Sequence, residues 1–389
     1  MSQATTHDAA AEFMDRASNA QKLQALLHRY PWLSSAAVLL IASISFSFFN
    51  ENFLTPGNLS LILQQVAIVG AVAAGQTLII LTAGIDLSCG AIAIFASMVM
   101  AKTSMGDPYV EGDGLPIVAA FTIGLLVGTF AGWFNGFLVT KFKLPPFIVT
   151  LGTLNVFIAL TLIYASGRTV TTDEMDPFLL QLGHIINLGE FKVTQGVLVM
   201  LLLYIILAFA LRFTGWGRHV YAVGDDINAA RLAGIQVNRV LLSVYMVAGL
   251  VFAIAAWIVI GRVTVASPNT QPDLNLDSIT AVVIGGTSLF GGRGTIFGSL
   301  IGAVIVGVLI LFTLFHLPSS NCLACDAVHT LDLQSITSST AAHPRRDSRR
   351  TRRRNGGQVR ISTTSSGGWG VSSHGSPAMP KCPSRAVRS

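Results

Sequence analysis

The polar run GRHVYAVGDDINAARLAGI, Gly217 to Ile235, sits between two apolar stretches and carries side chains suited to building a compact helical loop. Asp225, Asp226 and Asn228 can each cap a helix start, because their oxygens accept from the orphan N–H groups of a first turn. Ala229 and Ala230 supply close-packing surface, Arg231 places a cation in the later turn, and Gly234 can end the helix in a left-handed conformation. With Gly217 and Gly224 these residues make a candidate docking surface; the pattern alone also fits an ordinary amphipathic loop helix. Asp86, in GIDLSCG, is an acid in apolar surroundings. It can cap a helix beginning near Leu87, offer a polar contact inside a membrane, or do both.

No residue set points to catalysis. The chain has no G-x-x-x-x-G-K-[ST] phosphate loop, no H-E-x-x-H zinc motif and no G-x-S-x-G nucleophile elbow. Cys322-x-x-Cys325 lacks a second pair at zinc spacing, and Cys89 and Cys382 stand apart, so no metal or redox site is expected.

The elements that position these residues are apolar. Of 389 residues, 52% are hydrophobic and 11% charged, with a mean hydropathy of +0.63. Soluble domains carry about 25% charged residues, so the chain belongs in lipid. Stretches long enough to cross hydrocarbon as helix are read at 33–49, 59–81, 88–101, 117–140, 147–165, 196–211, 241–261, 276–290 and 294–316. The reading is an all-α, polytopic helical bundle of about nine spans, with an N-terminal segment at 1–32 and a membrane domain at 33–316. Lys22, His28 and Arg29 before the first span put the N-terminus in the cytoplasm. Alternating sides then place Lys141, Lys143, Arg212, Arg218, Arg231, Arg239 and Arg293 inside, and the acidic loops 102–116 and 166–195 outside. No cleavable signal peptide is expected.

Two glycine-rich segments repeat at an offset of 202 residues. Gly84–Gly90 aligns with Gly286–Gly292, Asp86 falls on Ser288, and Ile94–Ser97 falls on Ile296–Ser299. Paired glycine-interrupted apolar segments point to a transport path in secondary transporters. By that analogy Gly84, Asp86, Ser88, Gly90, Gly286, Ser288 and Gly292 are the candidate pathway residues. Spans 88–101 and 276–290 are short and read as broken or re-entrant. Gln76, Asn135 and Asn155 are expected to hydrogen-bond between helices, and Gly298-x-x-x-Gly302 to pack helices closely.

The Gly217–Ile235 run resembles the ATPase-docking loop of permease subunits of bacterial ABC sugar importers, the ribose/xylose/fructose class. Gln76 to Ala101, Leu276 to Val308, and Lys143 to Asn155 resemble the same family. The match runs from about Phe53 to about Phe315 and is nearest to fructose-type permeases. The resemblance implies a second permease copy, a separate sugar-type ATPase that binds the ATP, and an extracytoplasmic sugar-binding protein, in a bacterial inner membrane. It implies a subunit that is not itself an enzyme and carries no cofactor. A self-contained ion-coupled transporter is the alternative, and a membrane anchor with a nucleic-acid-binding tail is a third reading.

From Leu317 to Ser389 the composition turns Ser-, Arg-, Gly- and Pro-rich. This tail holds 11 of the 25 Lys and Arg residues but only 3 of the 19 acids, so the net charge of +6 comes from it and is not a nucleic-acid signal of the membrane body. Nine spans would leave its arginine cluster on the wrong side of the membrane. An intact relative is expected to have a tenth span here, and the tail reads as a disordered, out-of-frame replacement for it.

Overall fold

The computed structural model describes residues 31–49, 53–105 and 114–316. The expected N-terminal segment up to residue 30, the acids Asp107, Glu111 and Asp113, and the basic tail with Cys322, Cys325 and Cys382 lie outside the described residues.

Helices α1 (Pro31–Phe49), α2 (Pro56–Leu81), α3 (Cys89–Met105), α4 (Ile117–Phe142) and α5 (Pro146–Ala165) come first. Next are α6 (Gln195–Phe213), the short α7 (Gly215–Asp225) and α8 (Ile227–Leu232), then α9 (Val237–Val263), α10 (Leu274–Ile284) and α11 (Ile296–His316). Pro56 and Pro146 stand at the first helical position of α2 and α5, where the missing N–H costs nothing. Among the described residues six helices, α2, α4, α5, α6, α9 and α11, are long and apolar enough to cross a membrane, while α1, α3 and α10 are shorter apolar helices. The helices match the expected spans to within about a turn except at 276–290, where helix ends at Ile284. Gly286 there adopts φ +86°, a left-handed turn that glycine enters without penalty, and the chain leaves the helix.

A small antiparallel hairpin was not legible in the sequence. β1 (Ile185–Leu188) pairs with β2 (Phe191–Thr194), Ile185 opposite Thr194. It packs on the start of α2, where the Lys192 N–H donates to Ser60 Oγ at 2.9 Å. Strands of four residues are too short to display an alternating pattern.

Helix α2 is the hub. Val66 to Leu81 are buried without a break, and α6, α9, α10 and α11 pack around it. Lipid tails are as apolar as leucine, so helices associate through close packing and hydrogen bonds rather than through escape from water. Helix α4 supplies the closest packing with a glycine every fourth residue. Gly124 faces Met100 of α3; Gly128, Gly132 and Gly136 face Gly249, Ala253, Tyr245 and Leu242 of α9. A Cβ at Gly132 would overlap the Tyr245 carbonyl and the Gly249 backbone. Gly298 and Gly302 of α11 meet Gly285 and Ala281 in the same way, as their spacing predicts. Thr77 Oγ1 of α2 donates to Ser299 Oγ of α11 at 2.8 Å, a membrane hydrogen bond worth about 0.6 kcal/mol.

The three expected interhelical polar residues divide. Asn135 Nδ2 donates to Ser88 Oγ at 2.8 Å and does link segments. Asn155 instead donates to Leu151 O on its own helix and is exposed. Gln76 is fully buried, and neither amide atom has a partner among the described residues. In both corrected cases the sequence marks a polar group on a helix but not which neighbour comes within reach.

Candidate functional site

The Gly217–Ile235 run is two helices joined at a sharp corner. Thr214 opens α7 by accepting from the Gly217 N–H at 3.1 Å. Asp225 is the last residue of α7 and caps nothing, whereas Asp226 caps α8, its Oδ1 accepting from Asn228 N at 2.7 Å and Ala229 N at 3.1 Å. Three neighbouring Asx residues look equivalent in sequence; only Asp226 takes the extended conformation, φ −152°, that a cap requires. Gly234 ends α8 as expected, at φ +83°. Its N–H reaches Arg231 O and the Ile235 N–H reaches Ala230 O, the paired bonds of a Schellman cap.

Helix α7 is amphipathic, and its buried face is bolted down. Gly217 lies against the Leu211 backbone, and Gly224 sits between Leu81 O and Gly292 N. Trp216 Nε1 donates to Ser243 Oγ at 2.8 Å, and the Tyr221 hydroxyl donates to Gly294 O at 3.1 Å. Burial raises the Tyr221 pKa above the ordinary phenol value, which keeps it a donor. The outer face is open. Asp225, Asn228, Ala229, Arg231 and Gly234 are exposed, Ala230 is buried, and Leu232 is 91% exposed. Beside it, Lys143, Arg231 and Arg239 line an open groove with Ile235, Gln236, Val237 and Asn238. A fixed base thus carries an exposed rim of leucine, alanine and arginine, an apolar and cationic face that nothing in the chain covers among the described residues.

The two glycine-rich segments are the breaks between α2 and α3 and between α10 and α11. They touch: Gly292 N donates to Leu81 O at 3.0 Å, and Gly291 packs on Ala83. In the first break Asp86 is 1% exposed, and its Oδ1 accepts from Ser88 N at 2.7 Å and Ser88 Oγ at 2.6 Å. Helix α3 begins at Cys89, so Asp86 sits ahead of the cap position and closes a turn rather than capping at Leu87. Gly84 is buried against Ile79 and the Tyr245 hydroxyl. In the second break Gly286 is exposed, Ser288 is half-buried and bonds the Phe290 N–H, and Gly292 rests on Asp225. Of the seven candidate pathway residues, Gly90 borders a pocket with a mixed polar and apolar lining. Asn269, Gln271 and Asn275 also line that pocket. They drew no attention in the sequence because uncharged amides in or just after a short coil resemble any loop.

A protein-family model described as branched-chain amino acid transport system / permease component matches residues 58–323. The fructose import permease protein of Rhizobium meliloti is 46% identical over 295 residues, covering 75% of this chain and 80% of that protein. The ribose import permease protein of Bacillus subtilis is 41% identical over 279 residues, 72% of this chain and 82% of that one. The D-allose transport system permease protein of Escherichia coli K12 is 34% identical over 272 residues, 69% and 79% of the two chains. No solved structure matches. With the family model spanning more than half of its length, and with these relatives each covering more than two thirds of it, the chain belongs to this family of membrane transport permease components.

Proposed function

We propose that the chain is the permease subunit of an ATP-driven ABC importer for a monosaccharide, coupled to a separate ATPase through α7 and α8. The α7–α8 corner carries the reading: it is anchored to α2, α9 and the second glycine-rich break, and it leaves Arg231 and Leu232 open. Movement imposed on that corner reaches the membrane core through backbone contacts at Leu81 and Gly292, a rigid link suited to biasing two states. Lys143, Arg212, Arg218, Arg239 and Arg293 lie in the segments that end at or flank this corner, which supports placing it in the cytoplasm. The relatives' names supply the substrate class, fructose, ribose and D-allose. The complex in this reading contains a second permease copy, a sugar-type ATPase and an extracytoplasmic sugar-binding protein in a bacterial inner membrane.

An ion-coupled mechanism would need Asp86 to meet solvent; its burial and its bonds to Ser88 favour a structural role. Co-purification with the ATPase tests the coupling face. Arg231→Glu and Gly234→Leu should each weaken capture of the ATPase by about tenfold, with the membrane domain still folded. Equal capture by both variants would remove the docking assignment.

A further inference from the structure

The segment between α9 and α10 is not helical, yet it descends between helices that cross the membrane. It starts pinned beside the end of α5: Val170 and Ala266 exchange backbone hydrogen bonds at 2.9 and 3.0 Å, and Thr172 Oγ1 donates to Thr264 O at 2.8 Å. It finishes at Asn275, whose backbone nitrogen would lie 3.0 Å from a Cβ on Gly90. Gly90 lies on the first turn of α3, 12 residues before Lys102, whose Nζ donates to Tyr164 O at 2.7 Å near the end of α5. At 1.5 Å per residue that is a descent of about 18 Å, well inside a hydrocarbon layer about 30 Å thick. Irregular backbone at such depth persists only where protein buries it or where it lines a polar cavity.

A cavity is there, with a volume of about 170 Å³, well above what one water needs. Gln271, Asn275 and Thr161 line it with Asn269 and Thr270, and Ile94, Leu154 and Ile158 form the apolar wall. The Asn269, Gln271 and Asn275 side chains make no hydrogen bond to any described residue. Gln271 holds φ +54°, a conformation that costs a non-glycine residue energy and that tends to persist at functional sites. The starts of α3 and α10 meet at the same place, bringing the orphan N–H groups of two helix ends together. The chemistry is selective. No ionisable side chain lines the cavity, so a zwitterion would leave both charges unpaired. Amides donate and accept at once, as hydroxyls do, and the aliphatic wall suits C–H faces.

We propose that this pocket is a binding subsite on the transport path for an uncharged polyhydroxylated ligand, with Gln271 and Asn275 as its principal hydrogen-bonding residues. This rests on the sugar-permease reading and narrows it to a location and against amino-acid cargo. The test uses the full chain assembled with a sugar-type ATPase and sugar-binding protein, and follows uptake of D-fructose and D-ribose. Asn275→Leu and Gln271→Leu should each lower uptake about tenfold, while assembly and basal ATP hydrolysis stay at parent level. Independently of transport, Asn275→Cys should react with a small charged methanethiosulfonate at least about tenfold faster than Ile163→Cys, above the parent background. Ile163 is 75% exposed on the outer face of α5 and would meet lipid. Parent-level uptake by both leucine variants, or labelling of Asn275→Cys no faster than Ile163→Cys, overturns the subsite and leaves the permease reading standing. Failure of the assembled parent to import either sugar overturns both.

Discussion

The two helix breaks share a sequence pattern and have opposite surroundings. In the first, Asp86 and Ser88 are buried and bonded to each other, and Asn135 of α4 closes over them. In the second, the aligned positions are Ser288, half-buried, and Phe290, 91% exposed. The first turns on Ala83, a non-glycine residue at φ +60°, whereas the second uses Gly286, Gly291, Gly292 and Gly294, all at positive φ. The first break therefore seals a joint within the bundle, and the second presents a partly exposed surface that packs closely against α7. A repeated pattern sets where a helix stops; the neighbours set what the stop is for.

The sharpest way to break this contrast is at Gly224, where the two breaks and α7 converge. A Cβ there would overlap Leu81 O and Gly292 N, backbone on both sides that cannot rotate away. Gly224→Val should cost about 3 kcal/mol and abolish ATPase capture, read by thermal unfolding in detergent and by co-purification. Next comes the buried lock. Asp86→Leu strands the Ser88 N–H and hydroxyl and should cost about 2 kcal/mol. Asp86→Asn keeps an acceptor and should cost less than about 1 kcal/mol; equal losses for the two would mean that the charge, not the hydrogen bonding, matters. A smaller effect should separate the turns themselves. Gly286→Ala forces an alanine to φ +86° and should destabilise by about 1 kcal/mol, while Ala83→Gly should not destabilise by more than about 0.5 kcal/mol. The least effect is expected where the second copy is given the acid of the first. Ser288 is half-buried, so Ser288→Asp should change the stability by no more than about 0.5 kcal/mol. A large loss there would show that the second break is as closed as the first.

Much of the fold was legible because membranes constrain sequence strongly. Apolar length located the helices, and Gly234 marked one end. The family resemblance was carried by long segments and was borne out by relatives up to 46% identical. The misses have physical causes. Asp225, Asp226 and Asn228 offer the same cap chemistry, and backbone conformation chose among them. Asn155 and Gln76 are polar residues on apolar helices, and their rotation about the helix axis decided what they met. The hairpin at 185–194 was too short to show a period.

The sequence alone determined the class of environment, the approximate limits of the apolar helices, and the surface run that breaks them, because hydropathy and backbone propensities act locally. The tertiary structure alone decided that α4 and α9 meet glycine to glycine, that the two breaks touch at Leu81 and Gly292, and that the coil from α9 to α10 brings Gln271 and Asn275 to Gly90. Those outcomes depend on which helix faces come together across more than a hundred residues of chain, and close packing between distant helices leaves no periodic trace in either one.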